Sequence, residues 1–231
     1  MDFSYKILIY GHKGYLGGKL FEKMKKMGFN VFQTNIRYPD ENLSTFLDAE
    51  KFDIIINCAC KKTKELKLSN VDLPIFLVKK CKQFIHFCTD DVYSGEVGNY
   101  NKKSEHDPIS DYGISKSIVA KALSNYNNCH TIRTSFVGKD PECRMWKSIS
   151  DGNFSGWANY YWSGVLIEDL VEEICSNLTY ILSCSLILIG GNRQSKYEVA
   201  LKLSGNKYPI KRKFLSEAID KSYSHDIYLP F

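Results

Sequence analysis

The sequence predicts an α/β protein built on a doubly wound parallel sheet, with a small substrate lobe toward the C-terminal side. Three observations predict it. Short continuous apolar runs (YKILIY at 5–10, DIII at 53–56, FIHF at 84–87) have the composition of strands buried on both faces. Segments with apolar residues at helical spacing alternate with those runs. A glycine triplet stands where the first run gives way to the first helix. Strand–helix alternation implies right-handed crossovers and a parallel sheet covered on both sides.

Taken in order, residues 5–10 form the first strand. Leu16, Leu20, Met24 and Met27 share one face of the helix that follows, and Gly28 ends it. Residues 30–34 are a second short strand, 43–49 a short helix and 53–57 a third strand. A helix over 70–80 carries Pro74 in its first turn. Residues 84–88 are the fourth strand. After an irregular polar stretch, Ile114, Ile118, Val119, Ala122 and Leu123 mark an amphipathic helix. A fifth strand covers 129–134. Beyond Gly138 the pattern becomes rich in Trp and Tyr. Leu166, Leu170, Val171, Ile174 and Leu178 predict another helix, 186–189 a sixth strand, and 195–203 a last helix. Ser195 and Glu198 have the spacing of a capping box there. The division expected is a sheet domain over 1–138 and a smaller lobe over 139–231, with the strand near 185–189 returning to the main sheet.

Composition narrows the function. The 231 residues suit one α/β domain with a small appendage. Net charge is +5, but basic and acidic residues are interspersed, which argues against nucleic acid as partner. No apolar run is long enough to span a bilayer, and the first ten residues lack the form of a signal peptide, so a cytoplasmic location is expected with no membrane partner. The eight cysteines include no C-x-x-C pair. Cys58, Cys60, Cys88 and Cys184 lie in or beside apolar segments and read as buried free thiols; no metal site is expected.

GHKGYLG at 11–17 follows a strand and opens a helix. That is the setting of a dinucleotide-binding loop in a Rossmann-type fold: Gly11 for the turn, Gly14 for approach of a pyrophosphate, Gly17 for close helix–strand packing. The helix N-terminus offers free N–H groups to the phosphates, with Lys13, Tyr15 and Leu16 at its mouth. The spacing is G-x-x-G-x-x-G. An NAD site usually carries an acid at the end of the second strand to hold the ribose 2′-hydroxyl. The stretch QTNIR at 33–37 has none, and it has Arg37. A 2′-phosphate suits Arg37 and Lys13, so NADP(H) is favoured. NAD(H) stays open, with Asp40 or Glu41 reaching the ribose instead.

DYGISK at 111–116 puts Tyr112 and Lys116 four residues apart, on one face of a helix. A carbonyl reduced by hydride must be protonated, and a phenol can do it if a neighbouring ammonium lowers its pKa. A third group should donate to the carbonyl oxygen as charge develops. Thr89, at the end of the fourth strand, is the candidate.

With those pieces in that order, the sequence resembles the extended short-chain dehydrogenases of the dTDP-4-dehydrorhamnose reductase group. GHKGYLG at 11–17, FDIIINCAC at 52–60, HFCTDDVYSG at 86–95, DYGISK at 111–116 and IRTSFVG at 132–138 carry the resemblance, with a weaker match at 189–205. It implies strand order 3-2-1-4-5-6, a C-terminal substrate lobe, and reduction of the C4 ketone of a nucleotide-linked 4-keto-6-deoxy-hexose with hydride from NADPH or NADH. It implies Thr89 as the group polarising the ketone, Tyr112 as proton donor and Lys116 as the residue that tunes it and binds ribose. Asn57, Cys58 and Ala59 would line the cofactor. Thr134, Ser135 and Phe136 would lie near nicotinamide and sugar, with Asp90 and Asp91 on the substrate side. The chain is short for the group. Two alternatives stay open. Related 3,5-epimerase/4-reductases that make nucleotide-linked L-rhamnose carry an acid–base cysteine where this chain has Asp91. Other relatives are non-catalytic regulatory subunits.

Several other residues have ordinary readings: His12 as a solvated loop residue, His86 as a satisfied core histidine, Cys143 as lobe packing. Trp157, Tyr160, Tyr161 and Trp162 read as lobe packing or a homodimer face, with stacking on a nucleotide base as the alternative.

Overall fold

A computed structural model describes residues 4–205 and 207–231. The first half alternates strictly: β1 (Ile7–Tyr10), α1 (Tyr15–Lys26), β2 (Val31–Phe32), α2 (Glu41–Glu50), β3 (Ile54–Asn57), α3 (Leu73–Leu77), β4 (Gln83–Cys88), α4 (Asp111–Leu123) and β5 (Cys129–Arg133). The predicted 70–80 helix is composite. A π-helical turn at Leu68–Asp72 leads into α3, where Pro74 sits in the first turn, and a 3₁₀ turn at Val78–Lys80 closes it. The second half contains β6 (Phe136–Val137), α5 (Arg144–Ser150), β7 (Ser155–Trp157), β8 (Tyr160–Trp162), β9 (Val165–Leu166), α6 (Ile167–Ser176), α7 (Leu178–Ile181), β10 (Leu186–Gly190), β11 (Gln194–Ser195), α8 (Lys196–Ser204), β12 (Lys211–Lys213), β13 (Ile219–Asp220) and β14 (Ile227–Tyr228).

Seven strands make the main sheet in the order β14-β10-β5-β4-β3-β1-β2, all parallel. β1, β3 and β5 are buried along their whole length; β1 and Ile54–Ile56 of β3 are unbroken apolar runs, whereas β5 also buries His130, Thr131 and Arg133. One core packs α1 and α6 on one face of the sheet through Leu20, Met24, Leu170 and Ile174. A second packs α2, α3 and α4 on the other face through Leu43, Leu47, Leu77, Val119 and Leu123.

The strand order corrects the expectation of 3-2-1-4-5-6. Counted along the main sheet it is 2-1-3-4-5-6-7. Only one helix, α2, separates β2 from β3, and the chain then returns to the inner side of β1, where Ile7–Tyr10 pair with Ile54–Asn57. With β3 on the inner side of β1, the two-residue β2 is left as the edge. The crevice at the strand C-termini, where the order reverses across β1, is where open α/β sheets bind ligands.

Chain beyond residue 138 divides its contribution. α6, β10 and β14 complete the main layers, β10 pairing with β5 and β14 with β10. The satellite cluster formed by Cys143, Ile149, Trp162, Val199, Ala200 and Leu203 holds α5, β8 and α8 together over the crevice. The capping box on α8 is present: Ser195 Oγ accepts from Glu198 N, and Ser195 N donates to Glu198 Oε2.

Candidate active site

The glycine loop is built by close approach. Gly11 adopts φ +91°, in the left-handed region where a side chain is strained, and a Cβ there would lie 2.6 Å from Ala59 N. A Cβ on Gly17 would lie 2.3 Å from Gly11 O. Gly14 is the N-cap of α1 and supplies no side-chain cap, so the first-turn N–H groups stay available to an anion. Asn57, buried at the end of β3, accepts from Ala59 N at 3.1 Å and so fixes the segment against which Gly11 packs. Its role is to shape the loop.

A cleft of about 550 Å³ opens beside this loop, lined by Gly11–Gly14, Thr34, Arg37, Tyr38, Cys58, Ala59 and Lys61 among others. Tyr10 organises its far wall, accepting from Tyr38 N at 3.0 Å and donating to Ile36 O at 3.1 Å. This positions the segment carrying Arg37. Glu65 is the one carboxylate among the lining residues. Asp40 Oδ1 instead caps α2, accepting from Asn42 N at 2.9 Å, and neither Asp40 nor Glu41 reaches the cleft. Tyr15 and Leu16 do not line it either. The Tyr15 hydroxyl donates to Asp140 at 2.7 Å, and Leu16 is buried in the core. Glycines where side chains would collide, an uncapped helix start and two cations fit a dinucleotide phosphate.

The catalytic candidates meet on the other side of β3. α4 begins with Ser110 as N-cap, its Oγ accepting from Gly113 N at 3.0 Å. A Cβ on Gly113 would stand 2.1 Å from Asp91 O. Because that position is glycine, the first turn of α4 lies directly on the 3₁₀ turn Asp90–Val92, and Tyr112 is carried to Asp90, Asp91, Cys60 and Cys88. Thr89 caps that turn: its Oγ1 accepts from Asp91 N and donates to Asp90 Oδ1, both at 3.2 Å. Ser135 also donates to Asp90, so its hydroxyl is engaged there. Thr134 is buried at the end of β5, and Phe136 packs on the Tyr15 ring at 6.2 Å.

Lys116 is buried one turn beyond Tyr112. Its Nζ lies 3.1 Å from His86 Nε2, and His86 Nδ1 lies 3.4 Å from Asn57 Nδ2. His86 is thus a satisfied buried histidine that also contacts the buried lysine. Burial, reinforced by Lys116, holds its pKa well below the usual range. Burial lowers that of Lys116 as well. The Tyr112 phenol is displaced the opposite way from the expectation. Burial, and then the neighbouring thiols and carboxylates, raise its pKa. The Lys62 ammonium lies 5.7 Å from the Tyr112 ring centroid.

Two further lysines were not singled out by the sequence. Lys221, buried, pairs with Asp91 Oδ1 at 2.7 Å. Lys196, at the start of α8, lies over the Trp162 ring. Trp162 belongs to the lobe core, and Arg193 stacks on Tyr161 at 3.6 Å, so the aromatic cluster packs the lobe and carries cations. Cys143 packs in the lobe and its Sγ accepts from Gly138 N. Cys58 and Cys60 depart from the reading as buried thiols: Cys58 is half-buried and Cys60 exposed, because the chain leaves the sheet after Asn57. Among the described residues no cluster could hold a metal ion, and no helix is long and apolar enough to cross a membrane.

This fold and this cleft define a Rossmann-type α/β protein. The chain belongs to the RmlD substrate-binding domain family, whose model matches residues 5–143. A probable low-salt glycan biosynthesis reductase of Haloferax volcanii, Agl14, is 33% identical over 111 residues; the match covers 42% of this chain and 37% of that protein's length. Among solved structures, dTDP-4-dehydrorhamnose reductase from Bacillus anthracis in complex with NADP superposes with TM-score 0.84 at 18% identity, covering 96% of this chain and 91% of that one. A UDP-glucuronic acid 4-epimerase from Bacillus cereus in complex with NAD gives TM-score 0.76 at 17% identity over 96% and 88%. At these identities the structures speak for the fold.

Proposed function

We propose that the protein is an NADP(H)-dependent reductase of the C4 ketone of a nucleotide-linked 4-keto-6-deoxy-hexose. The observation that carries the reading is the clamp at Gly113, which sets Tyr112 on the Thr89–Val92 turn while Lys116 is buried beneath it on His86.

Bound NADPH would supply the hydride to the ketone carbon. Lys13 and Arg37 would hold the 2′-phosphate, a choice favoured by the absence of Asp40 and Glu41 from the lining, where Glu65 is the one carboxylate. The backbone of Gly11–Gly17 takes the pyrophosphate, and Lys116 takes a ribose hydroxyl. Thr89 donates to the ketone oxygen by turning its hydroxyl from Asp90, whose carboxylate keeps the bond from Ser135. Tyr112, held protonated at neutral pH by burial, delivers its proton to the developing alkoxide. Lys116 then stabilises the phenolate until it is reprotonated.

Asp91 supports reduction without epimerisation. A carboxylate tied to Lys221 at 2.7 Å stands where the epimerases carry their thiol, and a carboxylate in an ion pair is a poor group for moving protons at a sugar C–H. The test is NADPH oxidation by purified protein with a nucleotide 4-keto-6-deoxy-sugar supplied. Tyr112→Phe is expected to lower kcat by about 10²–10⁴-fold with NADPH binding retained. Full activity in that variant would remove Tyr112 from the mechanism. Deuterium entering C3 or C5 of the product from solvent would restore the epimerase reading.

A further inference from the structure

Around the turn after Thr89 cations outnumber carboxylates, with Lys62, Lys196 and Lys221 against Asp90 and Asp91. Asp91 is neutralised by Lys221, and Asp90 accepts from Thr89 and Ser135. Lys196 lies within electrostatic range of both carboxylates and of Lys62 and Lys221. Among the described residues it has no carboxylate within ion-pair distance. Its Nζ stands 3.2 Å from the Trp162 ring centroid and 5.4 Å from that of Tyr160. An aromatic face stabilises an ammonium without neutralising it. Tyr160 in turn lies within electrostatic range of Asp90 and Asp91, so this wall faces the turn that follows Thr89.

A second, independent observation points to a ligand. Gln194 on β11 pairs directly with Trp162 on β8, so the two side chains share a face of the small sheet. Gln194 is 6% exposed and Trp162 3%, yet neither carboxamide atom of Gln194 nor the indole N–H has a hydrogen-bond partner among the described residues. Buried polar groups left in this state are costly and are normally satisfied. The indole N–H and the amide N–H share that face, and the Lys196 ammonium lies against the same indole ring, so the three are candidate donors for one oxyanion. The remaining Gln194 oxygen is an acceptor for a hydroxyl.

We propose that Lys196, with Trp162 and Gln194, forms an anion-recognising subsite of the substrate cleft that takes an anionic oxygen group of the nucleotide sugar, and that Lys196 sets substrate specificity. The inference rests on reading the cleft as a nucleotide-sugar site. The anion has two sources of the same chemistry: the diphosphate, or a C6 carboxylate, which would make the sugar a uronic acid in place of the 6-deoxy-hexose proposed above. Burial has lowered the Lys196 pKa to about 8, and an anion seated there would raise it again.

Calorimetric titration of the full chain with UDP, UDP-glucose and UDP-glucuronic acid, with dTDP and dTDP-glucose as base controls, separates the outcomes. Lys196→Met is expected to weaken binding about tenfold, and Lys196→Arg, which keeps the cation, to restore most of it. A loss confined to UDP-glucuronic acid assigns the subsite to a sugar carboxylate; an equal loss for all five assigns it to the diphosphate. Unchanged affinities in Lys196→Met, or no recovery in Lys196→Arg with both variants folded, overturn the subsite and leave the reductase reading standing. Wild-type protein binding none of the five overturns the subsite and leaves the reductase reading to its own NADPH-oxidation assay. Binding with no turnover on any keto-sugar counts against the reductase reading alone.

Discussion

Acid should weaken this fold through one histidine in particular. His106 Nε2 accepts from Arg133 Nη2 at 2.7 Å, so the ring proton is assigned to Nδ1, which meets Ser117 Oγ at 3.0 Å. Burial first, then the Arg133 charge, lowers its pKa from 6.5 to about 4. The unfolded chain takes up a proton near pH 6.5 and the folded one does not. The resulting stability is therefore intact above pH 6.5 and is lost as pH falls toward 4, with nothing further lost below. At about 1.36 kcal/mol per pH unit, going from pH 6.5 to 4.5 costs about 2–3 kcal/mol. His86, also depressed, contributes with the same sign, so the comparison must isolate His106. His106→Gln does so, since its carbonyl oxygen can accept from Arg133 without titrating. Urea unfolding at pH 7.0, 5.5 and 4.5 should show the midpoint of the wild type falling more steeply than that of the variant, at equal m. If the two fall in parallel, His106 is not buried against Arg133 as described.

Other expectations follow from the site. Arg37→Ala should weaken NADPH binding about tenfold and leave NADH nearly unchanged, because a charge-assisted bond to a phosphate is worth about 1.5–3 kcal/mol; equal loss for both cofactors, measured by fluorescence titration, would deny Arg37 that role. Gly17→Ala places a methyl against Gly11 O and should cost at least about 1–3 kcal/mol in denaturant unfolding, together with cofactor affinity; a variant with native stability would contradict the close packing of α1. His86→Leu leaves the Lys116 amine buried without its partner and should cost about 1–3 kcal/mol, with an altered pH profile of kcat; an unchanged profile and midpoint would mean that the pair is incidental.

Local chemistry was legible in the sequence; long-range pairing was not. The apolar runs, the helical spacing of Leu20 and Met24 and the Ser195–Glu198 box are statements about neighbours in the chain, and the strands and helices formed where those patterns lay. Tyr112 and Lys116 share α4 because four residues make a helical turn. The strand order failed because nothing local says on which side of β1 the third strand pairs, and here it pairs on the inner side. Gly113 was passed over beside the more conspicuous Tyr112, although a glycine in the first turn of a helix calls for a close neighbour. Arg37 and Lys13 could be read as cations, but Tyr10, which shapes the Arg37 segment through its hydroxyl, looked like the end of an apolar strand. Lys196 and Lys221 carry no local signature. They matter only because folding brings residues about a hundred positions away onto the turn after β4.

The Lys221–Asp91 pair has a consequence for how the protein is made. The partners are 130 residues apart, while the sheet strands on either side of Asp91 are much closer in sequence. At about 5–20 residues per second, a ribosome releases Asp91 on the order of ten seconds before its cation. Late in that interval the nascent chain can form β1 to β5, yet the turn after β4 holds a carboxylate without its lysine. A chain stalled within this window would be a framework able to lodge a dinucleotide but unready for a sugar.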